Sequence, residues 1–259
     1  MSGAVPVGKE RSDYVKGKFS LIARRYNLFN DLITLGMHRY WKGFLVERMG
    51  AEEGSRVLDI CCGTGDICRR LRAKVGSRGL CVGLDFSDGM LKVAASRKGT
   101  AGVSFVKADA TKLPFRDGSF DAVGVGYGLR NLADLDQGLR EVKRVLKPGG
   151  RFLSLDVGKV RLPVVGRLFH LYFFFMVPAI GKTICPGEDL FDYFPRSTVD
   201  YPSQEELSDK LTAAGFERVD FFPFLFGGSV VHCSRKPQEG QNADRAEGRA
   251  ERRVDRKST

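Results

Sequence analysis

The run Arg56-Val57-Leu58-Asp59-Ile60-Cys61-Cys62-Gly63-Thr64-Gly65-Asp66 constrains this chain more than any other stretch. A short apolar strand leads directly into a tight glycine turn, and Ile67 to Val75 then has helical spacing. This is the opening βα unit of a nucleotide-binding α/β sheet, in which glycines let the backbone approach a ligand closely. Read as G-x-G-x-x-G from Gly63, the pattern returns Gly65 but places Cys68 third, so the dinucleotide fingerprint is incomplete.

The elements that follow keep the same rhythm. Leu80 to Asp85 is a second apolar strand, closed by a carboxylate 20 residues after Gly65. A carboxylate at that place can accept both hydroxyls of a ribose. Phe86 to Arg97 reads as a helix with Ser87 as its N-cap. Val103 to Asp109 is a third strand, with Asp109 placed to bond an adenine amino group, and Ser119 to Gly126 is a fourth. Leu139 to Leu146 has helical spacing, Lys147-Pro148-Gly149-Gly150 turns the chain, and Arg151 to Asp156 is a fifth strand. Such alternation predicts a parallel sheet covered on both faces, with ligand at the carboxyl ends of the strands. Any one of these aspartates could be no more than a helix cap. Three strand-end features in the right order argue for a site. A dehydrogenase would keep the third glycine and need a hydride-transfer site, for which no second domain is evident.

Asp59-x-x-x-Gly63-Thr64-Gly65 resembles the first motif of class I S-adenosylmethionine (AdoMet) methyltransferases. From about residue 14 to 235 the chain resembles the ubiquinone/menaquinone biosynthesis C-methyltransferases in particular. The narrowest pieces are Arg25-Tyr26-Asn27-Leu28-Phe29-Asn30-Asp31, Gly36-Met37-His38-Arg39-Tyr40-Trp41-Lys42 and Gly128-Leu129-Arg130-Asn131, with Phe191-Asp192-Tyr193-Phe194-Pro195-Arg196-Ser197 and Tyr201-Pro202-Ser203 downstream. The resemblance implies an α/β fold: a Rossmann-like, seven-stranded, mostly parallel sheet with helices on both faces. It implies a helical lid over 14–49 and a helical, substrate-side insertion after strand five over 160–200. AdoMet is the implied cofactor, held by Asp59, Gly63, Thr64, Gly65, Asp85, Phe86, Asp109, Ala110, Gly126 and Tyr127. The implied reaction is methylation of a prenylated quinol ring carbon. Demethylmenaquinol is the first choice, ahead of 2-polyprenyl-6-methoxybenzoquinol or demethylphylloquinone. Gly126 departs from the family, which often has a serine there, so a hydroxyl contact is lost or passes to backbone.

For the chemical step the candidates are Arg130, Asn131 and His38. An arginine stays charged, so Arg130 would stabilise a phenolate or polarise a water, while Asn131 orients a ring oxygen. The alternative for Arg130 is an ion pair with Asp134 or Asp136 that shapes the loop. Histidine titrates near neutrality, which qualifies His38 as a proton acceptor; the alternative is a helix-flanking histidine without chemistry. Tyr26 and Tyr127 read equally as lining of a ring pocket or as core, and Phe173 and Phe174 are placed to hold a prenyl tail. Phe221, Phe222, Phe224 and Phe226 read as core. His170 and His232 receive no role, and neither Cys nor His shows metal-ligand spacing.

The 42 Lys/Arg against 31 Asp/Glu give a net charge of +11, and the first 50 residues carry nine basic and four acidic side chains of that total. No basic stripe with interleaved aromatics accompanies the charge, so an anionic membrane surface is a better partner than nucleic acid. A solvated basic face without a partner, a homo-oligomer and a lipid-binding protein without turnover stay open. Leu162 to Ile184 is the most hydrophobic stretch, interrupted by Arg167, His170, Pro178 and Gly181. Its uninterrupted apolar part is shorter than the ~20 residues a membrane span needs, which predicts a buried helix or a lid helix touching lipid. Residues 1–13 read as loose, without a signal-peptide pattern, and 236–259 as a disordered charged tail. Scattered cysteines fit a reducing compartment. The expected location is cytoplasmic, peripheral at the inner face of the membrane.

Overall fold

The structure, a computed structural model, describes residues 17–186 and 190–238. The segments expected to be loose, 1–13 and all but the start of 236–259, lie outside them. Seven strands form one sheet in the order β3-β2-β1-β4-β5-β7-β6. These are β1 (Arg56–Ile60), β2 (Leu80–Asp85), β3 (Val103–Lys107), β4 (Phe120–Gly126), β5 (Leu146–Asp156), β6 (Glu217–Phe224) and β7 (Ser229–Arg235). The first five run parallel; β7 lies antiparallel between β5 and β6. β1 and β4 are central because Val57, Leu58, Ile60, Val123 and Val125 are fully buried, apolar on both faces as a doubly covered strand requires.

Helices cover both faces. A helical stretch at 17–22 precedes α1 (Tyr26–Thr34) and α2 (Met37–Met49), which are joined through the left-handed residues Leu35 and Gly36. The segment read as one lid therefore divides. α2 buries Trp41, Leu45 and Met49 against the sheet, while α1 rises above the strand ends. α3 (Asp66–Val75) and α4 (Asp88–Ser96) follow β1 and β2, with Ser87 capping α4 as read from sequence. α5 (Leu135–Val145) is capped by Asp134, and α9 (Gln204–Ala213) by a Ser203/Glu206 capping box, caps typically worth about 1 kcal/mol each.

Two local expectations need correction. Lys147-Pro148-Gly149-Gly150 is part of β5 rather than a turn before it, because Gly149 N–H donates to the Lys236 carbonyl and Lys236 N–H to that of Gly150. Lys236 is thus tied to the sheet instead of beginning a free tail. Phe226 is 68% exposed, and Phe222 and Phe224 are half-buried, meeting Phe44 edge-on at 5.3 Å; the four phenylalanines are not one core face.

Above the strand ends sits a helical cap. After β5, α6 (Pro163–Leu171), a π-helical turn (Tyr172–Met176) and α7 (Val177–Ile184) run without a break, and α8 (Leu190–Arg196) follows. Together 163–184 make a 22-residue helix, long and apolar enough to cross a membrane by length and composition. The interrupting residues do not break it, so the length argument made from sequence falls. The helix is not buried either: Leu168, Leu171, Phe175 and Met176 are exposed, and only Val177, Pro178 and Gly181 are covered. The cap holds to itself through aromatic packing, with Phe29 4.8 Å from Phe191 and 5.3 Å from Phe194.

Candidate active site

The carboxyl ends of β1, β2 and β4 open into a cleft of about 900 Å³. Cys61, Gly63 and Gly65 all take positive φ, which folds the β1–α3 turn tightly and exposes its backbone. Gly63 N–H donates to Asp85 Oδ2 at 2.8 Å, and Ser87 N–H to Asp85 Oδ1 at 2.9 Å, so β2's terminal carboxylate is fixed beside the turn. Asp109 lies two residues past β3 and accepts from Thr111 N–H and Oγ1, both at 2.8 Å. Asp59, Gly63, Thr64, Phe86, Asp109 and Ala110 all line the cleft, as do Gly126 and Tyr127. Of the predicted cofactor residues only Gly65 stays behind the wall, holding the turn. A Cβ on Gly126 would come 2.7 Å from Ile67 Cδ1, so the serine common at this position has no room without movement of Ile67.

Asp59 is the clearest sign of a ligand here. It is fully buried, its Oδ2 accepts from Cys68 Sγ–H at 3.1 Å, and its Oδ1 has no partner. Burial pushes its carboxyl up to about 7. An ammonium beside Oδ1 would supply the missing donor and favour the carboxylate, which fits the amino-acid end of AdoMet. The Gly63 turn and Asp85 fit its ribose. Sequence reasoning missed Lys42, which lines the same cleft and binds Asp66 Oδ2 at 3.1 Å. Burial opposes ionisation of Asp66, yet Lys42 and Arg97 hold it down at about 2. Lys42 sits on the buried face of an otherwise amphipathic helix, and that misplaced charge was the available signal.

A second cavity, about 640 Å³, lies between the cleft and the cap. Its wall is apolar, built from Ile33, Trp41, Phe169, Tyr172, Phe173 and Phe194. Tyr26 and Tyr127 line both spaces. Burial raises the pKa of both phenols, so they stay protonated. Tyr127 takes positive φ and its hydroxyl lies 3.1 Å from Ser229 Oγ.

Arg130 lines the second cavity, is 5% exposed, and donates from NH1 to Asp156 Oδ1 at 2.6 Å and to the Tyr127 carbonyl at 2.9 Å. Its carboxylate partner is therefore Asp156 from β5, not Asp134 or Asp136. Asp134 caps α5, and Asp136 accepts from Lys210 at 2.8 Å. Asn131 turns to the first cleft and accepts from Tyr193 O–H at 3.1 Å. His38, on α2, also lines the second cavity. Phe173 lines the second cavity but Phe174 does not: it stacks on His170 at 4.1 Å, and Phe169 lines the cavity instead. A helix running along a cavity presents positions 169, 172 and 173 to it and leaves 174 to the side. His232 is buried and 2.9 Å from the Gln204 carbonyl.

A seven-stranded sheet in this order, with a carboxylate-lined cleft over the β1 glycine turn, is the fold of class I AdoMet-dependent methyltransferases. The chain belongs to the ubiE/COQ5 methyltransferase family, whose profile matches residues 7–236. It is 42% identical over 251 residues to the demethylmenaquinone methyltransferase of Leptospira interrogans, covering 92% of this chain and 99% of that one. To the ubiquinone/menaquinone biosynthesis C-methyltransferase UbiE of Ectopseudomonas mendocina it is 41% identical over 232 residues, covering 88% and 91%. Among solved structures it resembles a SAM-dependent methyltransferase from Aquifex aeolicus (TM-score 0.56, 20% identity, 77% and 91% covered). It also resembles the [4+2]-cyclase SpnF (TM-score 0.63, 21% identity, 92% and 100% covered). A cyclase among the neighbours shows that likeness at this level carries the fold alone.

Proposed function

We propose that this enzyme methylates the ring carbon of a prenylated demethylmenaquinol, giving menaquinol. The observation that carries the reading is the pair of adjoining cavities with Tyr26 and Tyr127 as their common wall. One is lined by carboxylates suited to AdoMet, the other by aromatic and aliphatic side chains suited to a quinol ring and its tail. Bound AdoMet supplies an electrophilic methyl group. The protein's own contribution is to hold the ring carbon against that methyl, exclude water, and help a ring hydroxyl lose its proton so that charge enters the ring. Alignment alone can supply roughly 7–11 kcal/mol of the barrier. Arg130, kept in place by Asp156, stabilises the developing phenolate, and Asn131 orients the ring from the cofactor side.

The helix 163–184 supports a peripheral site of action at the inner face of the membrane. One side of it lines the second cavity through Phe169, Tyr172 and Phe173, and the other leaves Leu168, Leu171, Phe175 and Met176 exposed. Seated in a bilayer surface, that outer side would let a prenyl tail pass from lipid into the cavity. Arg167 on the same helix favours anionic headgroups.

Labelled AdoMet offered with reduced demethylmenaquinone and a demethylated benzoquinol tests the substrate. Label in the naphthoquinol alone supports the proposal, label in both makes the enzyme serve two pathways, and label in neither removes the quinol reading.

A further inference from the structure

We propose that His38, oriented by Asp31, is the base that takes the substrate's hydroxyl proton, with Asn30 donating to a ring oxygen. The proposal rests on the quinol reading and deepens it. Asn30 and His38 lie on α1 and α2 and line the apolar cavity that Arg130 closes on another side. His38 Nε2 lies 2.8 Å from Asp31 Oδ1. An ionised carboxylate only accepts, so Nε2 carries the ring hydrogen and Nδ1 keeps its lone pair. Arg39 donates to both carboxylate oxygens, Nε at 2.8 Å and NH2 at 2.5 Å, and with His38 holds Asp31 below the usual carboxylate range.

His38 Nδ1 has no hydrogen-bond partner, although the residue is only 3% exposed. Asn30 Nδ2 is likewise buried and makes no hydrogen bond of normal geometry, with the Tyr26 phenol beside it. The two residues that carry these groups, an acceptor and a donor, both line one mostly apolar cavity. Buried polar groups left so are unfavourable until a ligand pairs with them. A phenolic ring offers the complementary set: a hydroxyl that donates and an oxygen that accepts. The charged groups around His38 are Asp31, Lys42 and Asp66, with Arg39 on Asp31, and Arg130, paired with Asp156, also lines the cavity. Burial and then the Lys42 charge hold the imidazole below its ordinary value, against the pull of Asp31, so it is neutral and able to accept at pH 7.

In the step, the quinol O–H bond breaks and an Nδ1–H bond forms; the oxygen pair enters the ring, whose carbon bonds to the methyl group that bound AdoMet would supply, the methyl–sulfur bond breaking with its electron pair left on the neutral thioether that departs. The methylated carbon then gives up its own hydrogen as a proton while the ring oxygen recovers the one on His38. One proton is released per turnover. Asp31 touches no reacting atom and is a positioning residue.

The test compares the full-length protein with His38→Gln, Asp31→Asn and Asp31→Glu, using labelled AdoMet and reduced demethylmenaquinone in vesicles. Wild-type kcat should rise with pH along an acid limb and then level. His38→Gln should lower kcat by about 10²–10⁴-fold and abolish the limb while AdoMet affinity is unchanged. Asp31→Asn should lower the plateau and move the limb to lower pH, with recovery in Asp31→Glu. Independently of turnover, 2-naphthol added to the AdoMet-free protein should shift the ¹⁵N resonance of His38 Nδ1; this readout and Asp31→Asn decide the matter if His38→Gln does not fold. A folded His38→Gln with wild-type kcat and limb, or an Nδ1 resonance unmoved by 2-naphthol, overturns the proposal. A shifted resonance in a wild type that methylates neither quinol overturns the quinol reading and leaves hydroxyl recognition by His38 standing.

Discussion

The two cavities meet at Tyr26 and Tyr127 but are built in opposite ways. The cofactor cleft hangs on strand ends whose positions a parallel sheet fixes: Asp59 in β1, Asp85 closing β2, Asp109 just past β3 and Gly126 closing β4. The substrate cavity takes its wall from α1, α2, the Gly128–Asn131 loop, the 163–184 helix, α8 and the start of β7, so no single segment defines it. The first is held by backbone hydrogen bonds to carboxylates, the second by packed rings. A ligand common to a whole fold class can be met by a rigid scaffold. A ligand peculiar to one enzyme is met by helices that can be rearranged above it.

Breaking the cleft should have the largest effect. Asp85→Ala removes the acceptor of two backbone N–H groups and of the ribose hydroxyls, so AdoMet affinity should fall by roughly 10²–10⁴-fold, at ~1.5–3 kcal/mol per charge-assisted bond. Calorimetry reads it, and 2-naphthol binding in the other cavity should survive; joint loss would show that the two spaces do not act separately. Asp156→Ala comes next, leaving Arg130 buried and unpaired. Chemical denaturation should show a loss of about 3–5 kcal/mol, and an unaltered midpoint would mean that Arg130 finds another partner.

Phe173→Ser should sharpen the comparison from the substrate side. KM for a long-tailed quinol should rise about tenfold, one lost aromatic contact, with AdoMet affinity untouched and the Phe174→Ser variant close to wild type. Equal effects of the two serines would contradict the cavity wall described here.

A pH dependence at Asp59, whose carboxyl is raised to about 7 by burial, probes the cleft without changing a side chain. The folded protein keeps this proton while the unfolded chain loses it near 3.9, so the contribution to stability is greatest at acid pH and is lost as pH rises from about 4 to about 7. AdoMet affinity should run the other way, strengthening toward pH 7 as the carboxylate forms for the ammonium. Asp59→Asn should flatten both curves, and a slope that persists in the variant would assign it to another group.

Much of the cleft was legible in the chain because its signals are short-range. Strand, glycine turn and helix follow one another within a few residues, and right-handed crossovers leave little freedom in placing the next strand. Gly63, Asp85 and Asp109 could therefore be assigned to one rim before any coordinate was known. Lys42 escaped, since a buried lysine is explained by its pair with Asp66, which lies 24 residues away in sequence.

The substrate side was legible only as composition. That 162–184 is apolar was plain; that it forms one unbroken helix with an exposed outer side was not, because exposure depends on what packs against it. Phe173 and Phe174 are chemically identical, and the direction of a helix axis separates a cavity wall from a histidine stack. Arg130 had two nearby aspartates within reach by sequence, yet β5 brought Asp156 to it. The chain by itself determined the alternation of strand and helix, the glycine turn and the carboxylates of the cleft, since local periodicity and turn chemistry specify them. The tertiary structure decided the Arg130–Asp156 pair, the Asp31–His38 contact and the shape of the second cavity, because packing between distant segments sets which side chains meet.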